Sequence, residues 1–365
     1  MDTGGQVKER LYSLDALRGF DMFFIMSGEA WVCIVLALCG IKDVYSSIQH
    51  VAWHGLHFMD AIFPLFLFLA GVSFPFSAAK SRERGLSTGK IALKAVKRGI
   101  ILVLLGMVYN GALKDFDHIR YCSVLGRIGI AWMFGALLYL AMGWKGRLLS
   151  IAGLLVFSSL FFRFVLAPDA PAGADPFSAA GNFGCWLDRV LLKVGGGYDP
   201  EGFAGLVPSI ATAMLGMSAG DMVRMGGETP TTRKTLALLG CGALCAAIGF
   251  ALMPVVPLNK KLWTSSFVLV LGGYSFALFA IFYWIIDVKK KRRWAFFFRV
   301  IGLNSITIYL AQQIVNFGAI NKFFVAGTVE LLPHLWGRLL TVSSYIAVCW
   351  LFLYFLYNRK IFLRV

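Results

Sequence analysis

The sequence is divided into long apolar runs, most of them close to the length that a helix needs to cross a lipid bilayer. A hydrocarbon core about 30 Å thick takes roughly 20 apolar residues per helix, and a helix satisfies its own backbone hydrogen bonds inside lipid. The pattern predicts an all-α, polytopic integral membrane protein with about ten transmembrane helices. A re-entrant helix or an eleventh span near 317–335 is the alternative. The ten runs are residues 14–40, 58–79, 97–113, 122–142, 147–167, 204–222, 235–254, 263–286, 297–317 and 339–357.

The composition argues against a separate soluble domain. Hydrophobic residues make up 58% of the chain and charged residues 15%, whereas about a quarter of the residues in soluble proteins are charged. Ten spans with short loops use most of the 365 residues. We therefore expect residues 1–365 to form one transmembrane domain in contact with membrane lipid. Tryptophans near the predicted span ends are typical of an interfacial belt; they are Trp53, Trp132, Trp263 and Trp294.

The net positive charge of the chain can be explained without a nucleic-acid partner. The chain carries 35 Lys and Arg against 19 Asp and Glu, a formal net charge of +16. In a soluble protein that excess would suggest a nucleic-acid partner. Here 22 basic residues fall in one alternating set of loops and termini and nine in the other. Basic residues collect on the cytoplasmic side, so the distribution predicts that both termini are inside.

One short segment concentrates the chain's histidines. Residues 49–60 read QHVAWHGLHFMD and contain His50, His54, His57 and Asp60. If helical, the segment would place all three histidines on one face with Asp60 nearby. One interpretation is a metal site of three His and a carboxylate. A second is a general base or nucleophile oriented by the carboxylate, and a third is interfacial histidine without chemistry. Gly55 interrupts the segment, and we expect no metal.

Polar groups within apolar runs are costly and are therefore functional candidates. Glu29 lies in the first run, and Asn304, Ser305 and Gln312 lie in the ninth. Arg127 has no carboxylate within helical reach in its own run. Its partner must be a carboxylate on another helix or an anionic ligand, for which the guanidinium fork is suited.

The longest outer connection, residues 168–203, is rich in Pro, Gly and Ala. Loops of this length are uncommon unless they bind, cover or gate something.

The segment HVAWHGLHFMDAIFPLFLFLAG resembles the signature of the heparan-α-glucosaminide N-acetyltransferase family, including its bacterial transmembrane acyltransferase homologues. Further similar blocks occur in the family's order between residue 11 and about residue 315. They are SLDALRG from Ser13, VLGRIG from Val124, YDPEG from Tyr198, PLNKKLWT from Pro257 and GLNSI from Gly302.

The resemblance implies an enzyme that moves acetyl from cytosolic acetyl-CoA to the amino group of a glucosamine-type sugar across the membrane. Acetyl-CoA would be a co-substrate and an amino sugar would be the acceptor. The protein would lie in a bacterial inner (cytoplasmic) membrane, and the resemblance is compatible with a homodimer. His50 matches the family's active-site histidine, either as a base or as the carrier of a covalent acetyl group. The alternatives are an O-acetyltransferase of a cell-envelope glycan and a non-enzymatic sugar or anion transporter.

Two positions depart from the family pattern. By spacing from Asp15, the family's catalytic asparagine falls at Glu29, or at Gly28 if the alignment slips by one. The family's histidine in the ninth span corresponds to Gln312. We also expect the long N-terminal luminal domain of the animal enzymes to be absent. Because of these departures, the acceptor sugar can differ from that of the family.

The motifs together define a set of candidate site residues. The catalytic candidates are His50, Asp60 and Glu29. The candidates for binding acetyl-CoA are Arg127, Asn259, Lys260, Trp263, Asn304 and Ser305, with the two asparagines also candidates for stabilising an oxyanion. The candidates for binding the sugar are Tyr198, Asp199, Glu201 and Gln312.

Overall fold

A computed structural model describes residues 11–41, 44–111, 120–192, 197–227 and 229–363. Within these ranges the chain is helical and has no β-strand; one isolated antiparallel bridge joins Leu166 and Asn182. The predicted all-α class is confirmed. Some of the basic loop residues used for the topology prediction lie outside the described residues, namely Lys8, Arg10, Lys42, Lys114, Lys193 and Arg364.

The described residues form fifteen α-helices, joined in places by shorter turns. They are α1 (Tyr12–Phe23), α2 (Glu29–Leu38), α3 (Val44–Ile48), α4 (Ile62–Glu83), α5 (Thr88–Tyr109), α6 (Val124–Ala141), α7 (Trp144–Phe164), α8 (Phe183–Leu192), α9 (Leu206–Arg224), α10 (Thr232–Leu252), α11 (Ser265–Tyr283), α12 (Phe296–Leu303), α13 (Ser305–Ile314), α14 (Phe317–Glu330) and α15 (His334–Asn358).

Eight helical segments in the described ranges are long and apolar enough to cross a membrane. They are Tyr12–Leu38, Phe58–Glu83, Val124–Ala141, Trp144–Phe164, Leu206–Arg224, Thr232–Leu252, Ser265–Val288 and His334–Asn358. Run 97–113 falls largely within α5. Run 297–317 divides at Asn304 into α12 and α13, of 8 and 10 residues. Each is too short to cross alone, so ten spans and the inside position of the termini stay predictions.

The chain packs as two compact units. The first unit takes its described residues from Met1–Ile48, Thr229–Leu236 and Leu278–Arg364; the second takes them from Gln49–Glu228 and Ala237–Ala277. This division is a matter of packing and does not test the prediction of one transmembrane domain, which stays a prediction.

In the second unit, α4 and α9 approach closely through small residues. A Cβ atom added at Gly71 would lie 2.2 Å from the carbonyl oxygen of Ala213, and one at Gly216 would lie 2.0 Å from that of Phe68. Small residues allow such close helix packing inside a membrane, where apolar side chains gain little from leaving lipid. Because α4 begins just after Asp60, this packing fixes the place of the histidine segment.

Two of the predicted interfacial tryptophans are buried instead. Trp132 donates a hydrogen bond of 3.0 Å to the carbonyl oxygen of Ala70, and Trp263 donates one of 3.0 Å to Oγ1 of Thr212. Because neither ring is exposed to lipid, the prediction that these two belong to an interfacial belt was wrong. The indole N–H of a buried Trp needs a partner, and here neighbouring helices of the second unit supply it.

In the first unit, α1 packs against α12 at a glycine contact. A Cβ atom at Gly302 would lie 1.8 Å from the carbonyl oxygen of Asp15, so only glycine fits there. A π-helical turn at Phe24–Gly28 joins α1 to α2, and within it Ser27 has φ of +74°. This irregular turn lies inside the first apolar run, directly before Glu29.

Candidate active site

The histidine segment is not helical. Between α3 and the short turn Phe58–Asp60 the backbone runs through bends, and Gly55 has φ of +118°. A positive φ suits glycine and breaks a helix. The condition under which the three histidines would share a helical face is therefore not met. Instead, Gly55 donates its backbone N–H to the carbonyl oxygen of Leu258 at 2.9 Å, which ties this segment to the connection after α10.

Asp60 is the centre of the hydrogen bonds in this segment. Its side chain is 1% exposed. Oδ2 accepts the backbone N–H groups of Val51 at 3.3 Å and His57 at 3.1 Å, and Oδ1 lies 2.8 Å from Nδ1 of His50. These donors favour the ionised carboxylate. An ionised carboxylate only accepts hydrogen bonds, so the proton at 2.8 Å belongs to Nδ1 of His50.

This bond fixes the chemistry available to His50. With Nδ1 protonated and bound to Asp60, Nε2 carries the lone pair of the neutral ring. The side chain of His50 is 46% exposed, in contrast to Asp60. An imidazole held in this way can accept a proton or attack an acyl carbon through Nε2.

The other two histidines of the segment make different contacts. Nδ1 of His57 lies 2.8 Å from the carbonyl oxygen of Gln49, so it must donate. Nδ1 of His54 lies 3.3 Å from Nδ2 of Asn259. Among the described residues no group of three or more His, Cys, Asp or Glu side chains could hold a metal ion.

The second half of the site is the turn from Pro257 to Thr264. The side chain of Asn259 accepts the backbone N–H of Leu262 at 2.9 Å, and its own backbone N–H is bound by Oγ1 of Thr264 at 3.1 Å. Asn259 is fully buried. Its amide therefore holds the turn together and contacts His54, so the geometry supports a positioning role for it.

The same turn places Lys260 against the histidine–aspartate pair. Its Nζ lies 3.4 Å from Oδ1 of Asp60 and 3.1 Å from Nδ1 of His50. Burial lowers the pKa of Lys260 to about 8; the charge of Lys261 acts in the same direction, and the charges of Asp60 and Glu201 oppose it. The expected contact between Lys260 and acetyl-CoA stays a prediction.

Arg127 is buried beside Trp263. It is 2% exposed, its guanidinium carbon lies 5.3 Å from the centre of the indole ring, and Nη2 donates to the carbonyl oxygen of Gly202 at 2.8 Å. Its Nε and Nη1 atoms find no hydrogen-bond acceptor within the part of the chain that the structure describes. A buried donor left without an acceptor is costly, so a bound ligand oxygen would stabilise this arrangement.

The predicted sugar-binding segment is held by charged groups. Arg120 donates to both oxygens of Asp199, at 2.8 and 2.7 Å, and also to Glu201. Asp199 is 3% exposed and Glu201 15%. Asp199 thus fixes the loop, whereas Glu201 is more accessible. The ring of Tyr198 packs edge-on against Trp53, with the centroids 4.9 Å apart.

Sequence reasoning missed Arg120 and Asp188. Asp188 is fully buried in α8, and its carboxylate accepts the backbone N–H groups of Asp199 at 3.3 Å and Phe203 at 2.7 Å. Burial raises the pKa of Asp188 to about 6, although these two hydrogen bonds oppose the shift. The signal that could have found it is one acidic residue in the apolar stretch FGCWLDRVLL.

The remaining candidates belong to the first unit. Glu29 begins α2. Asn304, between α12 and α13, donates to the carbonyl oxygen of Ile361 at 3.1 Å, and Ser305 follows it at the start of α13. Oε1 of Gln312 accepts the hydroxyl of Tyr345 at 3.1 Å.

The structure therefore brings nine of the candidates into the second unit. They are His50, Asp60, Arg127, Tyr198, Asp199, Glu201, Asn259, Lys260 and Trp263.

Two curated proteins are similar to this chain along almost its whole length. The chain is 26% identical to the heparan-alpha-glucosaminide N-acetyltransferase of Mus musculus over 419 aligned residues, which cover 99% of this chain and 62% of the mouse protein. It is also 26% identical to the Homo sapiens protein of the same name over 429 aligned residues, with the same shares. No protein-family model matches. The chain thus spans 62% of the length of the relatives that it matches, and it is a distant relative of the heparan-α-glucosaminide N-acetyltransferases.

Proposed function

We propose that this chain is a transmembrane acetyltransferase that moves the acetyl group of cytosolic acetyl-CoA to the amino group of a glucosamine-type sugar on the extracytoplasmic side. The proposal places it in a bacterial inner membrane as a single transmembrane domain, with a homodimer as a further expectation. The distant relationship to N-acetyltransferases supports the reaction class.

The observation that carries the proposal is the bond of 2.8 Å between Nδ1 of His50 and Oδ1 of Asp60. A buried carboxylate that fixes one ring nitrogen makes the other nitrogen the reactive one, as in other acyl-transfer sites. The sequence resemblance pointed to the same histidine. The geometry supports Asp60 as the residue that orients it.

Acetyl transfer to an amine requires a bond to form, a bond to break and a proton to move. The amine nitrogen bonds to the thioester carbonyl carbon, the carbon–sulfur bond breaks, and coenzyme A leaves as a thiolate. In a ternary complex, Nε2 of His50 takes the proton that the amine releases. In the two-step route, Nε2 first attacks the carbonyl carbon and the thiolate leaves. The amine nitrogen then bonds to the acetyl carbon, the bond between that carbon and Nε2 breaks, and Nε2 takes the proton that the amine releases.

Arg127 and Trp263 are proposed to contact the acyl donor. The Nε and Nη1 donors of Arg127, which lack acceptors in the described part of the chain, suit an anionic or carbonyl oxygen. Buried donors of this kind stabilise charge more strongly than exposed ones. Trp263 packs against Phe63, with the ring centroids 4.8 Å apart. This contact helps to hold the indole ring in place beside the guanidinium of Arg127.

The acceptor sugar is proposed to enter beside Tyr198 and Glu201. An amino sugar carries an ammonium group, and a carboxylate near the surface would attract it. Glu29, Asn304, Ser305 and Gln312 stay predictions for assisting the base, contacting the donor and contacting the sugar.

The test is turnover by the purified protein in detergent. Acetyl-CoA and glucosamine are added, and both the free thiol and the acetylated sugar are measured. We expect thiol release that depends on the amine and equals the acetylated product. A panel of glucosamine, N-acetylglucosamine and muropeptide separates N-acetylation from O-acetylation. Sugar-dependent uptake into proteoliposomes without any thiol release would replace the proposal with a transporter.

A further inference from the structure

Three polar atoms of the second unit form a triangle, and the residues that carry them come from two segments that are far apart in the sequence. Nδ1 of His50 lies 2.8 Å from Oδ1 of Asp60 and 3.1 Å from Nζ of Lys260, and Nζ lies 3.4 Å from the same Oδ1. Asp60 is 1% exposed and Lys260 14%. Oδ1 of the buried Asp60 thus contacts both Lys260 and His50.

The hydrogen positions in this triangle follow from the donor inventory. A lysine ammonium donates and cannot accept, and Oδ1 of an ionised Asp60 accepts and cannot donate. A proton is needed between Nδ1 and Oδ1, which are 2.8 Å apart. Nδ1–H and the ammonium therefore both donate to Oδ1, and the contact between Nζ and Nδ1 places a positive charge against the ring.

That charge opposes the effect of Asp60 on the histidine. A carboxylate next to an imidazole favours the imidazolium form, whereas a neighbouring cation disfavours it. An imidazolium has no lone pair and can neither accept a proton nor attack an acyl carbon. An Asp60–His50 pair without Lys260 would therefore hold more of its histidine in the inactive form near neutral pH.

We propose that Lys260 is a positioning residue whose ammonium, by sharing Asp60 with His50, keeps the imidazole neutral with its proton on Nδ1 and its lone pair on Nε2. The inference deepens the proposed function and rests on it for the role of His50 in turnover. The proton state itself can be measured without any substrate.

The other charged groups around the triangle do not replace Lys260. Lys261 adds positive charge next to Lys260, and Glu201 adds negative charge. His57 reaches Asp60 through its backbone N–H, and His54 faces Asn259. In the described residues, Lys260 is the cation in direct contact with both His50 and Asp60. The lowered pKa of Lys260, about 8, still leaves it charged at neutral pH.

The test uses diethyl pyrocarbonate, which reacts with neutral imidazole. The full chain in detergent is treated at a series of pH values, and the carbethoxylation of His50 is measured by peptide mass spectrometry. Lys260→Met should move the midpoint for His50 upward by about one pH unit or more, the usual effect of one close charge. Lys260→Arg keeps the cation and should leave the midpoint near its wild-type position. Lys260→Gln is the second neutral variant and should shift the midpoint in the same direction as Lys260→Met.

Lys261→Met is the matched control. It removes the same charge one residue along the chain and should shift the midpoint by less than half as much. The midpoint of His334, in the first unit, serves as an internal reference and should stay constant in all variants. Equal midpoints for His50 in wild type, Lys260→Met and Lys260→Gln would overturn the inference.

The pH dependence of kcat/KM gives a second readout. In Lys260→Met the acidic limb should move to higher pH, so that the variant recovers toward wild-type activity as the pH rises. A merely structural role would lower activity by the same factor at every pH. Turnover retained by a folded His50→Ala protein would instead overturn the proposed function, whereas the carbethoxylation result would still decide the proton state.

Discussion

The carboxylate of Asp188 accepts the backbone N–H of Phe203 at a distance of 2.7 Å. This bond anchors the end of the 197–205 loop on α8, a helix outside the candidate membrane spans. Arg120 fixes Asp199 in the same loop, and Arg127 donates to the carbonyl oxygen of Gly202. Three side chains thus bind the loop that carries the proposed sugar contacts, namely those of Asp188, Arg120 and Arg127.

Gly202→Ala tests how tightly this loop is packed. A Cβ atom at Gly202 would lie 2.2 Å from Oδ2 of Asp188, closer than any unstrained contact. We expect a loss of about 1–3 kcal/mol in the free energy of unfolding, measured as a lower melting temperature in detergent. Gly153→Ala is the control, since nothing lies within 4 Å of its added Cβ. Equal melting temperatures for Gly202→Ala and wild type would contradict the packing described.

The pKa of Asp188 predicts a pH dependence of stability. Burial raises this pKa from 3.8 to about 6, so the folded state binds the proton more tightly than the unfolded state. Stability from this group is complete below about pH 4 and is lost as the pH rises through about 6. The melting temperature of wild type minus that of Asp188→Asn should therefore fall between pH 4.5 and 7.5. A difference that is constant or rises over this range would contradict the account.

Replacing Arg120 should act on the sugar more than on the donor. Arg120→Lys keeps the charge but loses the planar fork that contacts Asp199 and Glu201. We expect the KM for glucosamine to rise by about tenfold, the effect of losing one charged hydrogen bond, and the KM for acetyl-CoA to change less. Asp169→Asn removes an ion pair of 2.7 Å to Arg189 at a site 54% exposed and should leave both constants unchanged. A larger effect on acetyl-CoA than on glucosamine would contradict the assignment.

Arg127→Lys tests the proposed donor site. A lysine cannot present the Nε and Nη1 donors that lack acceptors in the described part of the chain. We expect kcat/KM for acetyl-CoA to fall by about tenfold to a hundredfold, with weaker binding of coenzyme A by calorimetry. Arg163→Lys, on the exposed end of α7, is the matched control. Unchanged coenzyme A binding and turnover in a folded Arg127→Lys protein would remove Arg127 from the donor site.

The sequence predicted the helical class and the histidine segment because both depend on local pattern. Apolar run length predicts helices in lipid, and the three histidines occur within eight residues. It could not predict that Lys260 meets Asp60, since these residues are 200 positions apart and their contact depends on how two connections pack. Sequence alone also left open whether residues 50–57 are helical, and they are not, because Gly55 takes a positive φ and donates its backbone N–H to the carbonyl oxygen of Leu258.

Asn304 shows a second reason for the limits of sequence reasoning. An amide in an apolar run suggests a ligand contact, and that contact stays a prediction for Asn304. In the structure its side chain binds the backbone of Ile361 and the hydroxyl of Thr307. A break between two short helices leaves backbone groups that need partners, and a nearby asparagine meets that need. Sequence alone does not separate this use of a polar side chain from ligand binding.

The most direct test of the central claim is the turnover of His50→Ala. Purified variant and wild type, each shown to be folded by its melting temperature, are given acetyl-CoA and glucosamine, and the free thiol is followed. His334→Ala, which removes an exposed histidine at the start of α15, is the control and should turn over like wild type. The account predicts that His50→Ala loses at least about 10²-fold in kcat. Turnover by His50→Ala at the wild-type rate would contradict it.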